Sequence, residues 1–121
     1  MIEGIGQEPF MRMWRSDVGR MIGAAKTGGA QVILMTYPNY ASPPVSEFRA
    51  LAETWSVPLV ENHRSFTALI DEGRAEEVLL RDLRHPNREG YAIVARNVFE
   101  LIIETGVLDQ EIRKKTGPRG N

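Results

Sequence analysis

The sequence predicts an α/β fold in which parallel strands are flanked by helices. Apolar residues recur every three or four positions before Gly28, and Gln31–Thr36 is a continuous apolar run of strand length. The alternation continues with Val57–Val60, a second short apolar segment that follows another amphipathic stretch. Strands that alternate with helices are joined by right-handed crossovers, so we expect these two strands to be parallel and covered on both faces.

The first helix is expected to begin at Pro9, where the missing N–H costs nothing, and to end at Gly28 and Gly29. Met1–Glu8 is rich in glycine and has no periodicity, so it is expected to be a loop. The predicted apolar face of this helix consists of Phe10, Met13, Trp14, Val18, Met21, Ile22 and Ala25.

The later elements follow from the same periodicities. After a proline-rich loop at Tyr37–Pro44, Ser46 is expected to cap the second helix. A short helix is predicted over about Ser65–Glu72, and a long one from about Arg88 to Thr105, with Gly106 as its C′ residue. The long helix is expected to carry five apolar residues on one side: Tyr91, Val94, Ala95, Val98 and Ile102.

The composition indicates one modest domain. The chain has 121 residues, of which 42% are hydrophobic and 26% charged, as is ordinary for a soluble globular protein. We expect residues 1–115 to belong to a single domain and 116–121 to form a disordered tail. The net charge of −1 includes a basic tail, so the body is mildly acidic, which argues against nucleic acid as the main partner.

Several classes of site and location are disfavoured by what the sequence lacks. There is no cysteine, which excludes a disulfide framework, a thiol nucleophile and a thiolate metal site. No segment resembles a signal peptide or a membrane span. The cellular location is therefore not indicated by the sequence.

The stretch from Asp82 to Tyr91, Asp-Leu-Arg-His-Pro-Asn-Arg-Glu-Gly-Tyr, contains the residues with catalytic potential. Pro86 restricts His85 to extended backbone conformations, and Asn87 is a good N-cap for the following helix. An Asp at i−3 in such a short loop can accept the Nδ1–H of the imidazole and leave Nε2 free as a base. We expect a distance of about 2.7–3.2 Å between the carboxylate and Nδ1. The alternative is that His85 is a solvated loop residue.

The pattern Asp-x-x-His-Pro-Asn-x-x-Gly-Tyr, followed by an amphipathic helix, resembles the last conserved block of the SGNH (GDSL) hydrolases, which are serine esterases and acyl hydrolases. The resemblance implies that Asp82 is the orienting acid and His85 the general base of a Ser-His-Asp triad. Leu83 stands where many members have glycine, and Arg84 where many have an apolar residue. The segments "AQVILMTYP" and "VPLVENH" resemble the last two strands of the family's sheet. They imply a partial flavodoxin-like three-layer fold without the first half of the sheet.

The family's nucleophile and oxyanion-hole blocks have no counterpart here. The sequence has neither Gly-Asp-Ser nor Gly-x-Asn-Asp, and none of its serines is expected in a strand-to-helix elbow: Ser16, Ser42, Ser46, Ser56 and Ser65. The resemblance therefore implies the C-terminal part of a truncated esterase or acyl hydrolase, inactive alone and without a cofactor. The intact enzyme would act on an ester-containing small molecule or an acylated carbohydrate. The alternative is a non-catalytic α/β interaction module that assembles with a partner chain.

Two strands are too few to cover four amphipathic helices, since three or more strands are normally needed for an independently stable sheet. We therefore expect apolar surface to stay exposed at Trp14, Val32 or Leu34. Self-association through the uncovered sheet would bury it.

Two weaker signals remain. His63 follows a predicted strand and is either a second functional imidazole or a surface or capping residue. Asn39 and Tyr40 either line a substrate cleft or belong to a Pro-Asn turn. His63, Glu61 and His85 lack the spacing of metal ligands, so no metal is expected.

Overall fold

The computed structural model describes residues 2–39 and 43–116, which form six helices and two short strands. In chain order these are α1 (Ile2–Thr27), β1 (Leu34–Met35), α2 (Val45–Trp55), β2 (Leu59–Val60), α3 (Asn62–Asp71), α4 (Ala75–Val78), α5 (Arg88–Thr105) and α6 (Val107–Thr116).

The predicted α/β fold, a partial flavodoxin-like sheet with flanking helices, is wrong. The described part of the chain is mainly helical, and its sheet consists of two parallel strands of two residues each. The Leu34 N–H donates to Pro58 O and the Thr36 N–H to Val60 O, both at 3.0 Å. Beyond these bonds the two predicted strands are irregular. Contacts of α1 with α2, and of α5 with α3 and α4, bury apolar residues that a wider sheet would otherwise cover.

The chain divides into two compact units, and the first comprises Met1–Leu34 and Ala41–Leu59. Its core contains Ile22, Leu51, Ala52 and Val57, with six partly buried apolar residues packed against it: Trp14, Val18, Val32, Leu34, Trp55 and Leu59. The exposed surface expected at Trp14, Val32 and Leu34 is therefore largely covered within this unit. Packing between helices thus covers the apolar residues that we expected missing strands to cover.

Helix α1 begins before the predicted start. It extends from Ile2, so the loop predicted up to Glu8 is wrong from residue 2 onwards, and Pro9 lies inside the helix. Met1 lies outside the described residues. Much of the predicted apolar face is solvent-exposed, at Phe10, Met13 and Met21, because the core contacts come from the narrower stripe of Trp14, Val18 and Ile22. Helix α2 is preceded by Pro44 as its N-cap, so the cap predicted at Ser46 is also wrong.

The second unit comprises Met35–Tyr40 and Val60–Asn121. Phe66, Val78 and Leu79 form its core, and five partly buried residues pack against it: Leu69, Ile70, Ala75, Ile93 and Val94. The bounds predicted for α5 are confirmed, with Gly106 in the left-handed region after its last residue. Helix α6 was not predicted. Residues 117–121, which include most of the predicted disordered tail, lie outside the described residues.

Candidate active site

The loop between α4 and α5 is closed at its base by backbone hydrogen bonds. Leu79 and Pro86 form an isolated antiparallel bridge, and the Leu80 N–H donates to His85 O at 2.8 Å. The Asn87 N–H donates to Val78 O at 2.9 Å. These bonds fix the two ends of the 80–85 segment, so a short loop projects from the core of the second unit.

Asn87 and Gly90 join this loop to the start of α5. The Asn87 side chain accepts from the Gly90 N–H at 2.9 Å, as predicted for an N-cap, and its amide donates to Glu77 O at 3.2 Å. At Gly90 an added Cβ would lie 2.1 Å from Val78 O and 2.8 Å from the Cβ of Pro86. A residue with a side chain does not fit there without movement of the backbone. Asn87 and Gly90 thus fix the position at which the loop joins the start of α5.

Asp82 organises the loop through both carboxylate oxygens. Its Oδ1 accepts from the backbone N–H groups of Arg84 and His85, at 2.9 and 3.1 Å. Its Oδ2 lies 2.5 Å from Nδ1 of His85. The contact expected from the i−3 spacing is therefore present, and it is shorter than expected.

The charge of Asp82 is strongly favoured in this environment. The hydrogen bond from His85 lowers the pKa of the carboxyl well below its usual range, and the N–H groups of Arg84 and His85 lower it further. With Nδ1 donating to the carboxylate, the lone pair of the neutral imidazole lies on Nε2. The side chains of His85 and Asp82 are 69% and 45% exposed, so solvent reaches the pair.

Leu83 adopts a φ of 57°, in the left-handed region that favours glycine. The Leu83 N–H donates to Leu80 O at 2.9 Å, and its carbonyl accepts from the Asn39 amide at 2.5 Å. Asn39 follows β1 within the second unit, so the segment after this strand contacts the Asp82 loop. Tyr40, considered with Asn39 as a cleft residue, lies outside the described residues.

A buried polar network that the sequence did not predict lies at the start of α3. Asn97 of α5 donates to Asn62 Oδ1 and to Ser65 Oγ, both at 3.1 Å, and Asn62 donates to Thr36 O at 3.3 Å. The His63 N–H donates to Thr36 Oγ1 at 3.0 Å, while its Nδ1 is buried without a partner. The one available signal was an asparagine on an otherwise apolar side of a helical pattern.

The described serines occupy helices or helix ends: Ser16 in α1, Ser46 in α2, Ser56 after α2 and Ser65 in α3. Ser42 lies outside the described residues. A groove of about 480 Å³ in the second unit is lined by Leu69, Arg74, Glu77, Val78, Glu89, Ala92, Ile93 and Arg96. Neither Asp82 nor His85 lines this groove.

Over the described ranges, no three His, Cys, Asp or Glu side chains converge on a potential metal site. None of the helices in residues 2–39 and 43–116 has the length and apolar character needed to cross a membrane. No protein-family model, curated protein or solved structure matches the chain. The resemblance to the SGNH hydrolases therefore stays a prediction.

Proposed function

We propose that Asp82 and His85 form the acid–base half of a Ser-His-Asp acyl hydrolase of the SGNH/GDSL type. The observation that carries this proposal is the contact of 2.5 Å between Oδ2 of Asp82 and Nδ1 of His85. Such a contact holds the imidazole in one tautomer and stabilises the imidazolium that forms during acyl transfer. The His85 side chain is 69% exposed, so a serine can approach the imidazole.

The backbone of the loop adds support to the resemblance. Many SGNH members have glycine where this chain has Leu83, and Leu83 adopts a φ of 57°, which glycine tolerates best. The asparagine and the glycine of the motif also have physical roles, as the cap of α5 and as the point of closest approach to Val78 O. Each of these motif positions therefore favours the observed loop conformation for a physical reason of its own.

In the proposed reaction His85 acts as general base and then as general acid. Its Nε2 takes the proton from a serine hydroxyl as that oxygen attacks an ester carbonyl, and then returns the proton to the leaving alcohol. Asp82 remains ionised throughout. The substrate class is an ester-containing small molecule or an acylated carbohydrate.

The proposal assigns the serine and the oxyanion-hole donors to protein segments outside these 121 residues, because the sequence has neither Gly-Asp-Ser nor Gly-x-Asn-Asp. A base without its nucleophile and oxyanion donors retains little catalytic power. The chain alone is therefore expected to hydrolyse p-nitrophenyl acetate no faster than buffer.

The test is to sequence the gene upstream of Met1, express any longer in-frame product and assay p-nitrophenyl acetate hydrolysis. We expect an in-frame Gly-Asp-Ser and an activity that falls roughly a thousandfold or more in His85→Ala and in Asp82→Asn. Arg81→Ala, at an exposed position beside the dyad, is the matched control and should keep full activity.

Two results would overturn the proposal. One is the absence of a Gly-Asp-Ser block upstream of Met1. The other is a longer product whose esterase activity survives His85→Ala.

A further inference from the structure

One row of apolar side chains on α5 is largely exposed in the described chain. Tyr91, Phe99 and Ile103 are 58%, 63% and 61% exposed, and the exposed Ala95 completes an i, i+4 series. Tyr91 and Ala95 belong to the predicted apolar side of this helix, and both are exposed. We call Tyr91, Ala95, Phe99 and Ile103 the outer row.

The opposite side of α5 faces the core of the second unit. Gly90 is buried, and Ile93 and Val94 pack against Phe66, Val78 and Leu79. Asn97 on the same side bonds Asn62 and Ser65. The inner side of helix α5 therefore packs on the core, while its outer side still carries large apolar groups. This arrangement is typical of an interaction surface.

We propose that the outer row is the contact surface between two copies of this chain, with their α5 helices antiparallel about a two-fold axis near residue 97. In that register Tyr91 of one copy lies opposite Ile103 of the other, and Ala95 lies opposite Phe99. Each small residue thus meets a large one, so the row is complementary to itself, as a two-fold interface requires.

The charges beside the outer row favour the same arrangement. The adjacent i, i+4 row is basic in its first half, at Arg88 and Arg96, and acidic in its second half, at Glu100 and Glu104. All four are exposed, and no salt bridge among the described residues involves any of them.

An antiparallel two-fold places the two charged rows on the same side of the interface. The basic half of one row then faces the acidic half of the other, which brings Arg88 near Glu104 and Arg96 near Glu100 across the interface. A parallel pair places the two rows on opposite sides, so it gains none of these contacts. The charge pattern therefore selects the antiparallel dimer over a parallel one.

The size of the surface sets the expected strength. A helix of 18 residues is about 27 Å long, so one helix pair gives an interface at the small end of the usual range. We expect a reversible, concentration-dependent dimer whose ion pairs are weakened by salt.

The first test is sedimentation velocity of the full chain over a concentration series. The wild type should shift from monomer to dimer, and Phe99→Glu should stay monomeric. Met21→Glu, at a residue 68% exposed on α1, is the matched control and should dimerise like the wild type. A wild type that is monomeric throughout, or a dimer that survives Phe99→Glu, would overturn the proposal. Far-UV circular dichroism verifies that each variant is folded.

The second test reverses charge. The double variant Arg88→Glu/Arg96→Glu has an all-acidic row, and Glu100→Arg/Glu104→Arg has an all-basic one. Each should dimerise at least tenfold more weakly than the wild type, whereas an equimolar mixture should form a heterodimer. Dimers of each double variant as strong as the wild type, or a mixture that does not pair, would refute the antiparallel register.

Discussion

Each of the two units contains a helical glycine that a neighbouring group approaches closely, but the neighbours differ in kind. In the first unit a Cβ added at Gly23 of α1 would lie 3.2 Å from Cη2 of Trp55, an atom at the edge of a half-buried ring. In the second unit a Cβ added at Gly90 would lie 2.1 Å from the carbonyl oxygen of Val78. The Trp55 ring can tilt away from an added Cβ. The Val78 carbonyl has less freedom to move, because its oxygen already accepts the Asn87 N–H at 2.9 Å.

The cores around the two glycines differ in the same way. The first unit packs Ile22, Leu51 and the two tryptophans in an apolar core, and its hydrogen bonds from Arg15 to Glu47 lie outside that core, where the two side chains are 40% and 22% exposed. Apolar cores of that kind tolerate small shifts. In the second unit, hydrogen bonds of defined direction add to the apolar core, through Asn62 and Asn97. The candidate dyad lies in the unit whose backbone is specified more tightly, which suits a site that needs fixed geometry.

Replacing Gly90 by alanine should have the largest effect. The added methyl cannot coexist with Val78 O, so α5 must move away from α4 and open the packing around Phe66. We expect a loss of about 3 kcal/mol or more in the free energy of unfolding, despite the better helix propensity of alanine. Urea denaturation followed by far-UV circular dichroism measures it. A loss below about 1 kcal/mol would mean that the α4–α5 approach is not rigid.

Asn87→Ala should cost less, because it removes hydrogen bonds and creates no overlap. The change removes the cap of α5 and the hydrogen bond from the side-chain amide to Glu77 O. We therefore expect a loss of about 1–2 kcal/mol in the free energy of unfolding. Asn87→Ser is the matched control, since serine keeps a capping oxygen but not the amide. In urea denaturation it should recover about half of that loss. Equal losses in the two variants would show that the cap contributes nothing.

The sequence predicts these local features well. The bounds of α5 follow from Asn87 and Gly106, and the contact between Asp82 and His85 follows from a spacing of three residues in a loop stiffened by Pro86. In each case the physical cause lies within a few residues of its effect. The caps and turn residues of such a segment act in the same way whatever the rest of the fold is.

The features that sequence reasoning missed depend on distant partners. Strand length depends on pairing, and the run Gln31–Thr36 pairs with the other strand over only two residues. An apolar run of this length also suits an irregular segment packed between helices, so periodicity does not distinguish a strand from such a segment. The bonds from Asn39 to Leu83 and from Asn97 to Asn62 span 44 and 35 residues, and no local pattern encodes them.

The dependence of folding stability on pH in the acidic range tests the electrostatics of the Asp82 loop. The pKa of Asp82 is lowered in the folded state, so its contribution is complete above the ordinary aspartate value of 3.8 and is lost as the pH falls from there through the folded pKa. Asp82→Asn should therefore lower the urea midpoint at pH 6 but narrow its difference from the wild type near pH 2. Asp71→Asn, which removes an exposed carboxylate from α3, serves as the control for the loss of one surface carboxylate. A constant difference between wild type and Asp82→Asn at all pH values would contradict the lowered pKa.

Gly23→Ala should have the smallest effect, because two modest contributions oppose each other. Alanine improves the propensity of α1 by about 1 kcal/mol. The new Cβ would lie 3.2 and 3.3 Å from two ring carbons of Trp55, so the ring must yield by a few tenths of an ångström. Trp55 is half-buried and has room to tilt, and the net change should stay within about 0.5 kcal/mol of zero. Tryptophan fluorescence during urea denaturation measures it within the first unit, since Trp14 and Trp55 both lie there. A loss comparable to that of Gly90→Ala would mean that Trp55 is held as rigidly as a backbone carbonyl, and the contrast between the two units would no longer hold.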